Sequence, residues 1–599
     1  MKKAFQVLLA VVLIAGLLYT ITKDSKSQSE NELANLAQAA FISLDTKVTS
    51  SFSKGFQLNE EAAASKDPIA PLFENMGNHS FPISSANETA QAYFNQGLSL
   101  SYAFNHAEAH RSFAEAARQD ENAAMAYWGQ AYALGPNIND PLPDEQRKAA
   151  AFEAIKQAFE RKAYASEKEM DLMHALSQRY GFSEDPGKKI SHGYLAGEKT
   201  DLDMLNKAYS ESMKKLADKY AQDADILTMY AASVMDLMPW NYWDKAGNAN
   251  AGINEAKLAL EEAMKINPNH PGAHHYYIHL VELPKPELAV PSAEVLAGLM
   301  PAAGHIVHMP SHIFIRVGRY QEAAMTNIEA IKADEDYISQ CYSQGLYPLG
   351  YYPHNIHFLW SSASLMGNSA TALAAARKTA EKIPVGLMES FTFAQDFYST
   401  PMLAYVRFGK WNDILTIPNP GPAKHVSMIW HYARGIAFLR KGNIEEAEEE
   451  LSALKEVTND PSLESLVANL TNPSSSIAKV AYHVLVGELE AAKGNYEEAE
   501  ELLRKGIIAE DALVYSEPAP WHIPVRQTLG ALLLKTDKPE EAEIIYRQDL
   551  KKVPKNGWSL KGLHQSLIAQ GKEREARDVR GLFEEAWKHA DIEIYASVF

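Results

Sequence analysis

The chain has 599 residues, which is too long for one hydrophobic core and predicts several domains or a repeat array. Its composition, 46% hydrophobic and 22% charged, is that of a folded protein and excludes wholesale disorder. The formal net charge of -19 would repel phosphate backbones, so we expect no nucleic-acid partner. The single cysteine, Cys341, excludes an intrachain disulfide and a thiolate-rich metal site.

Residues 1–22 are predicted to be a signal peptide or a membrane anchor. Lys2 and Lys3 precede an apolar stretch that runs from Ala4 to Ile21, and a positive start before such a stretch is typical of export. The stretch is long enough for an uncleaved anchor in the inner membrane, and a cleaved signal remains the alternative. In both cases we expect the body to be exported, as a periplasmic protein or one anchored in the membrane and facing outside the cytoplasm.

The remainder divides into a linker and a helical array. Residues 23–75 are rich in polar residues and are predicted to be a linker and N-terminal segment. Residues 76–599 show helical periodicity almost throughout, with a less regular part at 140–250. We predict an all-α fold, an α-solenoid of tetratricopeptide-type helix pairs with loop insertions.

A recurrent turn signal supports this fold. A short turn, usually containing Gly, precedes a helix that opens on a Glu-Ala pattern, and Ala542 and Ala576 are 34 residues apart, the tetratricopeptide period. Small residues at these positions let the two helices of a pair approach closely. The clearest copies are KGNIEEAEEEL (441–451), KGNYEEAEELL (493–503), DKPEEAEIIY (537–546) and QGKEREARDV (570–579).

Histidine is concentrated in one part of the chain. Nine of the 20 histidines lie within positions 270–357. Several stand three or four residues apart, so that they share one face of a helix. Because first helices of successive pairs stand side by side in a solenoid, these imidazoles are predicted to converge on one groove. The predicted metal ligands are His275, His279, His308, His312, His354 and His357.

Imidazole nitrogen is a common ligand of zinc, copper and iron. A site with three or more histidines can keep an open position for a substrate. We name Glu282, His305 and His274 as supporting residues, and Glu282 could act as a ligand, a partner of a ligand or a general base. If the array curves back, three earlier histidines would face the same groove: His79, His106 and His110.

The segment EPAPWHIPVR (517–526) is predicted to pack at a helix junction, because Pro starts helices and Trp fills the space between pairs. Glu517 and Arg526 are a candidate ion pair there. No phosphate-binding loop, dinucleotide fingerprint, GxSxG elbow or HExxH motif is present in the sequence.

The body resembles a family of exported bacterial tetratricopeptide-repeat proteins. The strings that carry the resemblance are YFNQGL, FNHAEAHRSF, AMAYWG, GPNIN, HPGAHHYYIH, AGHIVHMPSHIF, YYPHNIHFL, EPAPWHIPVR and NGWSL. The resemblance implies the solenoid fold but no reaction and no catalytic residue.

Two functions remain open from the sequence. One is a metal centre that binds or transforms a small molecule, and the other is a scaffold whose groove binds a peptide or protein. A scaffold needs polar residues spread along many first helices, whereas a metal centre needs imidazoles concentrated on a few. The concentration here favours the metal centre, although no reaction follows from it.

Overall fold

The computed structural model describes residues 67–184, 199–244, 246–341, 347–389, 391–468 and 471–599. The predicted signal or anchor and most of the predicted linker lie outside these residues. Among the residues that the structure describes, none of the helices combines the length and the apolar character needed to span a bilayer.

Helices follow one another from residue 88 onward. The N-terminal group comprises α1 (Glu88–Tyr102), α2 (His106–Gln119), α3 (Ala124–Leu134), α4 (Glu145–Glu160), α5 (Glu167–Arg179), α6 (Lys199–Lys219), α7 (Ala224–Met235) and α8 (Ile253–Ile266). The central group comprises α9 (Pro271–Val281), α10 (Val290–Leu296), α11 (Gly304–His308), α12 (Pro310–Arg316), α13 (Tyr320–Cys341), α14 (Tyr352–Leu365) and α15 (Ser369–Glu381).

The C-terminal group comprises α16 (Ala394–Arg407), α17 (Trp411–Thr416), α18 (Lys424–Arg440), α19 (Ile444–Thr458), α20 (Ser474–Lys493), α21 (Tyr496–Asp511), α22 (Val525–Lys535), α23 (Pro539–Lys552), α24 (Gly557–Ala569) and α25 (Glu573–Ala586). Short 3-10 turns cover Lys162–Tyr164, Pro286–Ala289, Val385–Leu387 and Pro461–Glu464, and a π turn covers Tyr347–Tyr351. Two strands, β1 (Val467–Ala468) and β2 (Asn472–Pro473), form a small antiparallel ribbon in which Val467 pairs with Pro473.

Consecutive helices pack as hairpins along the chain, and each hairpin packs on the next. Several hairpins turn at a glycine in the left-handed conformation, as in Gly318, Gly367 and Gly494, with φ of 75°, 75° and 89°. An L side chain rarely adopts that φ, so glycine is favoured there. The predicted α-solenoid of tetratricopeptide-type helix pairs is confirmed.

Small residues on first helices sandwich an aromatic ring from the second helix between them. A Cβ added to Gly97 of α1 or Gly129 of α3 would lie 2.7 or 2.4 Å from a ring carbon of Phe113 on α2. Gly530 and Gly562 enclose Tyr546 of α23 in the same way. Close packing of this kind fixes the spacing of neighbouring pairs.

The same stacking brings the histidine-bearing helices together. Helix α9 contacts α1 and α12, and α11 contacts α14. The C-terminal pairs also reach the central ones: the hydroxyl of Tyr320 donates to the carbonyl of Pro554 at 2.5 Å, and Asp591 accepts from the N–H of Ser369 at 2.7 Å. These contacts join the C-terminal pairs to the central pairs that carry the histidines.

Candidate metal centre

The histidines sit on the first helices of three successive pairs. His270 caps the N-terminus of α9, where its Nδ1 accepts the N–H of Ala273 at 3.0 Å and Pro271 occupies the first helical position. Pro310 likewise opens α12, directly after the five-residue helix α11, so His308 ends one helix and His312 lies in the next. This arrangement turns two imidazoles four residues apart to the same side.

Three histidines form a first triad: His275 and His279 of α9 and His305 of α11. The Nε2 atoms of His275 and His279 are 3.1 Å apart, and the ring of His305 lies 5.0 Å from that of His275. One ligand atom from each residue lies within 4.8 Å of the others. Neither ring nitrogen of buried His305 has a hydrogen-bond partner within the described part of the chain, which is unusual for a buried polar side chain.

A second triad lies beside the first and consists of His308, His312 and His354. The Nε2 atoms of His308 and His312 are 3.0 Å apart, and the ring of His354 is 4.9 Å from that of His308. This triad also has ligand atoms within 4.8 Å of one another. The two triads adjoin, since the rings of His279 and His312 are 5.6 Å apart.

Hydrogen bonds at Nδ1 determine which nitrogen carries the proton. His275 donates from Nδ1 to the backbone carbonyl of Tyr102 at 2.6 Å, and His308 donates from Nδ1 to Oδ1 of Asn327 at 2.7 Å. A carbonyl oxygen only accepts, so the neutral forms of both imidazoles have a free lone pair on Nε2. A proton or a metal ion between the facing Nε2 atoms is needed to keep two such nitrogens about 3 Å apart.

Two carboxylates flank His312 on its other side. Its Nδ1 lies 3.0 Å from Oε2 of Glu282 and 3.1 Å from Oε2 of Glu517. Glu282 also approaches Nδ1 of His279 at 3.7 Å, and Glu517 accepts from the hydroxyl of Tyr515. Carboxylates that hold the outer nitrogen of an imidazole orient its inner nitrogen toward a metal and strengthen it as a ligand.

The pKa of His312 is shifted in the opposite direction from the pKa values of the other five histidines in the triads. Burial lowers the pKa of His275, His305, His308 and His354 well below the usual value and also lowers that of His279, so these five are neutral at pH 7.

At His312 burial also opposes protonation, but the charges of Glu282 and Glu517 outweigh it and raise the pKa to about 10. The pKa of Glu282 falls to about 2 because its pairing with His312 and His279 outweighs burial, whereas burial and the charge of Glu282 raise the pKa of Glu517. Without a metal, His312 is therefore an imidazolium, and a metal bound at its Nε2 would displace one proton.

Two aromatic residues form a wall of the first triad. Phe104 stacks on His279 with an interplanar angle of 1° and its ring lies 4.3 Å from that of His275. Trp240 meets His279 edge-on at 5.0 Å. Both residues have left-handed backbone conformations, with φ of 57° and 63°, which are strained for bulky side chains.

Of the six predicted ligands, the structure brings five into the two triads. The sixth, His357, stacks on Trp360 at 4.7 Å and meets Phe397 at 5.3 Å, outside both triads. Its i,i+3 spacing from His354 puts it one turn further along α14, which carries its ring away from the other histidines. His305, predicted as a supporting residue, completes the first triad instead.

The other candidate residues have different surroundings. His274 contacts the carbonyl of Pro268 through Nε2 at 2.8 Å, on another face of α9. His106 stacks on Phe104 at 5.9 Å, next to the first triad but outside it, and His110 is buried in α2.

His79 belongs to a separate group with Asp225 and His270. Oδ1 of Asp225 lies 3.0 Å from Nε2 of His79 and 3.1 Å from Nε2 of His270, and it accepts from the hydroxyl of Tyr102 at 2.8 Å. Because Nδ1 of His270 accepts the N–H of Ala273, its proton is on Nε2 and is donated to Asp225. A metal at Nε2 would have to displace this proton, which cannot move to Nδ1 while Nδ1 accepts the N–H of Ala273. This group is therefore a hydrogen-bonded network rather than a third metal site.

Sequence reasoning missed the residues that come from distant segments. Glu517 was predicted to pair with Arg526, but Arg526 binds Asp511 at 2.6 Å while Glu517 faces His312. The reason is that the segment after α21 runs along the histidine-bearing helices and carries Glu517 to them. Nothing in the local sequence marks Asn327 or the carbonyl of Tyr102 as partners of imidazoles.

Comparisons with known proteins add little to this geometry. No family model matches the chain, and no curated protein matches it. A structure of the human IFIT1 dimer with m7Gppp-AAAA is similar at 13% identity and a TM-score of 0.31, over 78% of this chain and 91% of that one. Yeast Tom70 is similar at 12% identity and a TM-score of 0.25, over 82% and 90%. Similarity of this size carries no argument about function.

Proposed function

We propose that this chain is a metalloprotein whose solenoid holds two transition-metal ions, one in each histidine triad. The observation that carries the proposal is the orientation of the imidazoles. His275 and His308 expose free Nε2 lone pairs toward Nε2 of His279 and His312, while their Nδ1 atoms are fixed by acceptors. Metal-binding histidines are held in this way by their outer nitrogens.

The ligand set favours particular metals. Six imidazoles suit zinc, copper or iron, whereas magnesium and calcium prefer oxygen ligands. Three protein ligands per ion leave a position for water or a small molecule. The bound ions would polarise that molecule or lower the pKa of a bound water, and Glu282 and Glu517 stand beside His312 to accept a proton.

We also propose that the chain works outside the cytoplasm. This rests on the lysines and the apolar stretch within residues 1–22. A fusion of residues 1–30 to alkaline phosphatase, which is active only after export, is expected to give activity in intact bacteria. An inactive fusion that accumulates in the cytoplasm would contradict export.

Elemental mass spectrometry on the untagged body tests the metal centre. We expect about two equivalents of one transition metal in the native protein and about one in a His275→Ala/His279→Ala variant. The matched control is His174→Ala/His589→Ala, which removes two exposed histidines and should leave the metal content unchanged.

The proposal fails if the native protein binds no metal after incubation with zinc, copper and iron. The same conclusion follows if the control variant loses as much metal as the triad variant. In either case the scaffold function, with a peptide or protein in the groove, would replace the metal centre.

A further inference from the structure

A second buried polar cluster lies next to the metal centre and has no role in it. It comprises His357 and Trp360 of α14, Arg407 of α16, and Trp521 and His522 of the segment between α21 and α22. All five are buried, with exposed fractions of 7% or less. The ring of His522 lies 3.9 Å from that of Trp360. We call it the Arg407 cluster.

Arg407 is a buried cation without a carboxylate partner among the described residues. Its Nη1 donates to Oε1 of Gln527 at 2.8 Å, and its guanidinium lies over the ring of Trp558 at 4.4 Å. Its Nε and Nη2 have no acceptor in the part of the chain that the structure describes. Burial lowers the pKa of Arg407 to about 9, and the charge of Asp549, which acts in the opposite direction, offsets only part of that effect.

Other buried arginines of this chain are paired. Arg179 binds Asp236 at 2.6 Å, and Arg526 binds Asp511 at 2.6 Å. The partly buried Arg440 likewise makes two parallel bonds to Glu488 at 2.9 and 3.0 Å. An unpaired buried charge is costly and uncommon. The edge of the guanidinium that carries Nε and Nη2, which we call the open edge, therefore has the character of a binding surface rather than of ordinary packing.

The open edge has a definite shape. Nε–H and Nη2–H point the same way from a guanidinium and form a fork that matches the two oxygens of a carboxylate. The indole N–H groups of Trp360 and Trp521 are also buried without an acceptor among the described residues, and an indole nitrogen can only donate. Burial lowers the pKa of His522, and the positive charge of Arg407 lowers it further.

The cluster adjoins the metal centre along two segments. His357 follows the metal ligand His354 by one turn of α14, and its ring stacks on Trp360. His522 follows Glu517, which lies 3.1 Å from His312, by five residues. A small molecule held in the cluster would therefore lie close to the second triad.

We propose that the Arg407 cluster binds the carboxylate of a small molecule, with the fork of Arg407 as its main contact. One guanidinium balances one negative charge, which favours a carboxylate over a phosphate dianion. Binding of the carboxylate stands on the cluster alone. That the remainder of the molecule is acted on at the triads rests on the proposed metal centre.

The test uses the metal-loaded body and acetate as the probe, by isothermal titration calorimetry with inorganic phosphate as a competitor. Saturable acetate binding is expected, at least tenfold weaker in Arg407→Lys, which keeps the charge but removes the fork. Trp360→Phe keeps a ring and removes one N–H, and it should also weaken binding. Arg440→Lys changes an arginine that already has a carboxylate and should bind acetate like the native protein.

Several outcomes would overturn the proposal. One is a folded native protein that does not bind acetate, which would mean that only water fills the open edge. Equal binding of acetate and phosphate would contradict the preference for a carboxylate. If Arg407→Lys does not fold, unchanged acetate binding by Trp360→Phe is the overturning result. If acetate still binds to the metal-free protein, the proposed carboxylate site is supported even if the protein proves to have no metal centre.

Discussion

At the scale of a single residue, the hydrogen bond at Nδ1 decides what a buried imidazole can do. His308 and His270 are both fully buried, yet they have opposite tautomers. Asn327 accepts from Nδ1 of His308 and frees its Nε2, whereas the N–H of Ala273 occupies Nδ1 of His270. The first is suited to hold a metal and the second is not.

Replacing Asn327 tests this directly. Asn327→Ala removes the acceptor for His308, so the metal affinity should fall by about 10- to 100-fold, measured by competition with a chelating dye. The matched control is Asn368→Ala, which removes the N-cap of α15. It should cost about 1 kcal/mol of stability and leave the affinity unchanged. Equal affinities for Asn327→Ala and the native protein would show that His308 does not bind metal.

Phe104 and Trp240 concentrate backbone strain at one imidazole. Each left-handed residue of this size costs about 1–3 kcal/mol, and both contact His279. Strain of this kind persists where the surrounding structure fixes it, often at a functional site. Here it places two rings that limit the positions His279 can take.

Glu510 makes the stability of the chain depend on pH. Burial and the charge of Asp549 raise the pKa of Glu510 to about 8, above its value in the unfolded chain, about 4.3. The folded state then binds more protons within this range, so this group stabilises the fold at low pH and that contribution is lost as the pH rises to 8.

We therefore expect the urea midpoint of the native protein to fall more between pH 5 and pH 8 than the midpoint of Glu510→Gln. Ionisation of Glu510 lowers the free energy of unfolding by at most about 1.4 kcal/mol for each pH unit in this range. The amide can still accept the N–H of Val525, which the carboxyl accepts at 3.2 Å. Parallel pH profiles for the two proteins would refute this assignment.

At the scale of the helix pair, glycine positions control how closely neighbours stack. Gly530→Ala would place a Cβ 2.4 Å from Cζ of Tyr546, and overpacking of this kind costs about 1–3 kcal/mol. Gly581 lies on an exposed face of α25 with no atom within 4 Å of an added Cβ, so Gly581→Ala should stabilise by about 0.5–1 kcal/mol. Thermal unfolding of both variants checks these two predicted changes in stability. Destabilisation by Gly581→Ala would contradict the prediction for the exposed face.

The helix pairs were predictable from the sequence because their signals are local. Turn glycines such as Gly318 and Gly367 stand at fixed offsets from small residues, and both adopt the left-handed conformation that the turn requires. The i,i+4 pairs His275–His279 and His308–His312 were predictable in the same way, since helical spacing alone puts them together.

The partners of these pairs were not predictable. Glu517 approaches His312 across about 200 positions of sequence, and Phe104 reaches His275 from the turn between α1 and α2. Such contacts depend on how the hairpins stack, which no local pattern specifies. His357 shows the converse, because a favourable spacing did not ensure that its ring turned toward the triads.

At the scale of the whole array, the candidate centre is assembled from elements that lie far apart in sequence. The central pairs supply the imidazoles, α1 supplies the Tyr102 carbonyl, and the segment before α22 supplies Glu517. Contacts such as that of Tyr320 with Pro554 join the central and C-terminal pairs. Metal binding is therefore expected to stabilise the array as a unit, since an ion that binds the folded state raises its stability by mass action.

Anomalous X-ray diffraction from crystals of the metal-loaded, untagged protein tests the central claim most directly. Data collected at the absorption edges of zinc, copper and iron are expected to show two peaks, one at each triad, about 2.0–2.1 Å from the Nε2 atoms for zinc. Crystals with no anomalous peak at either triad, or with metal only at His79, Asp225 and His270, would contradict the account.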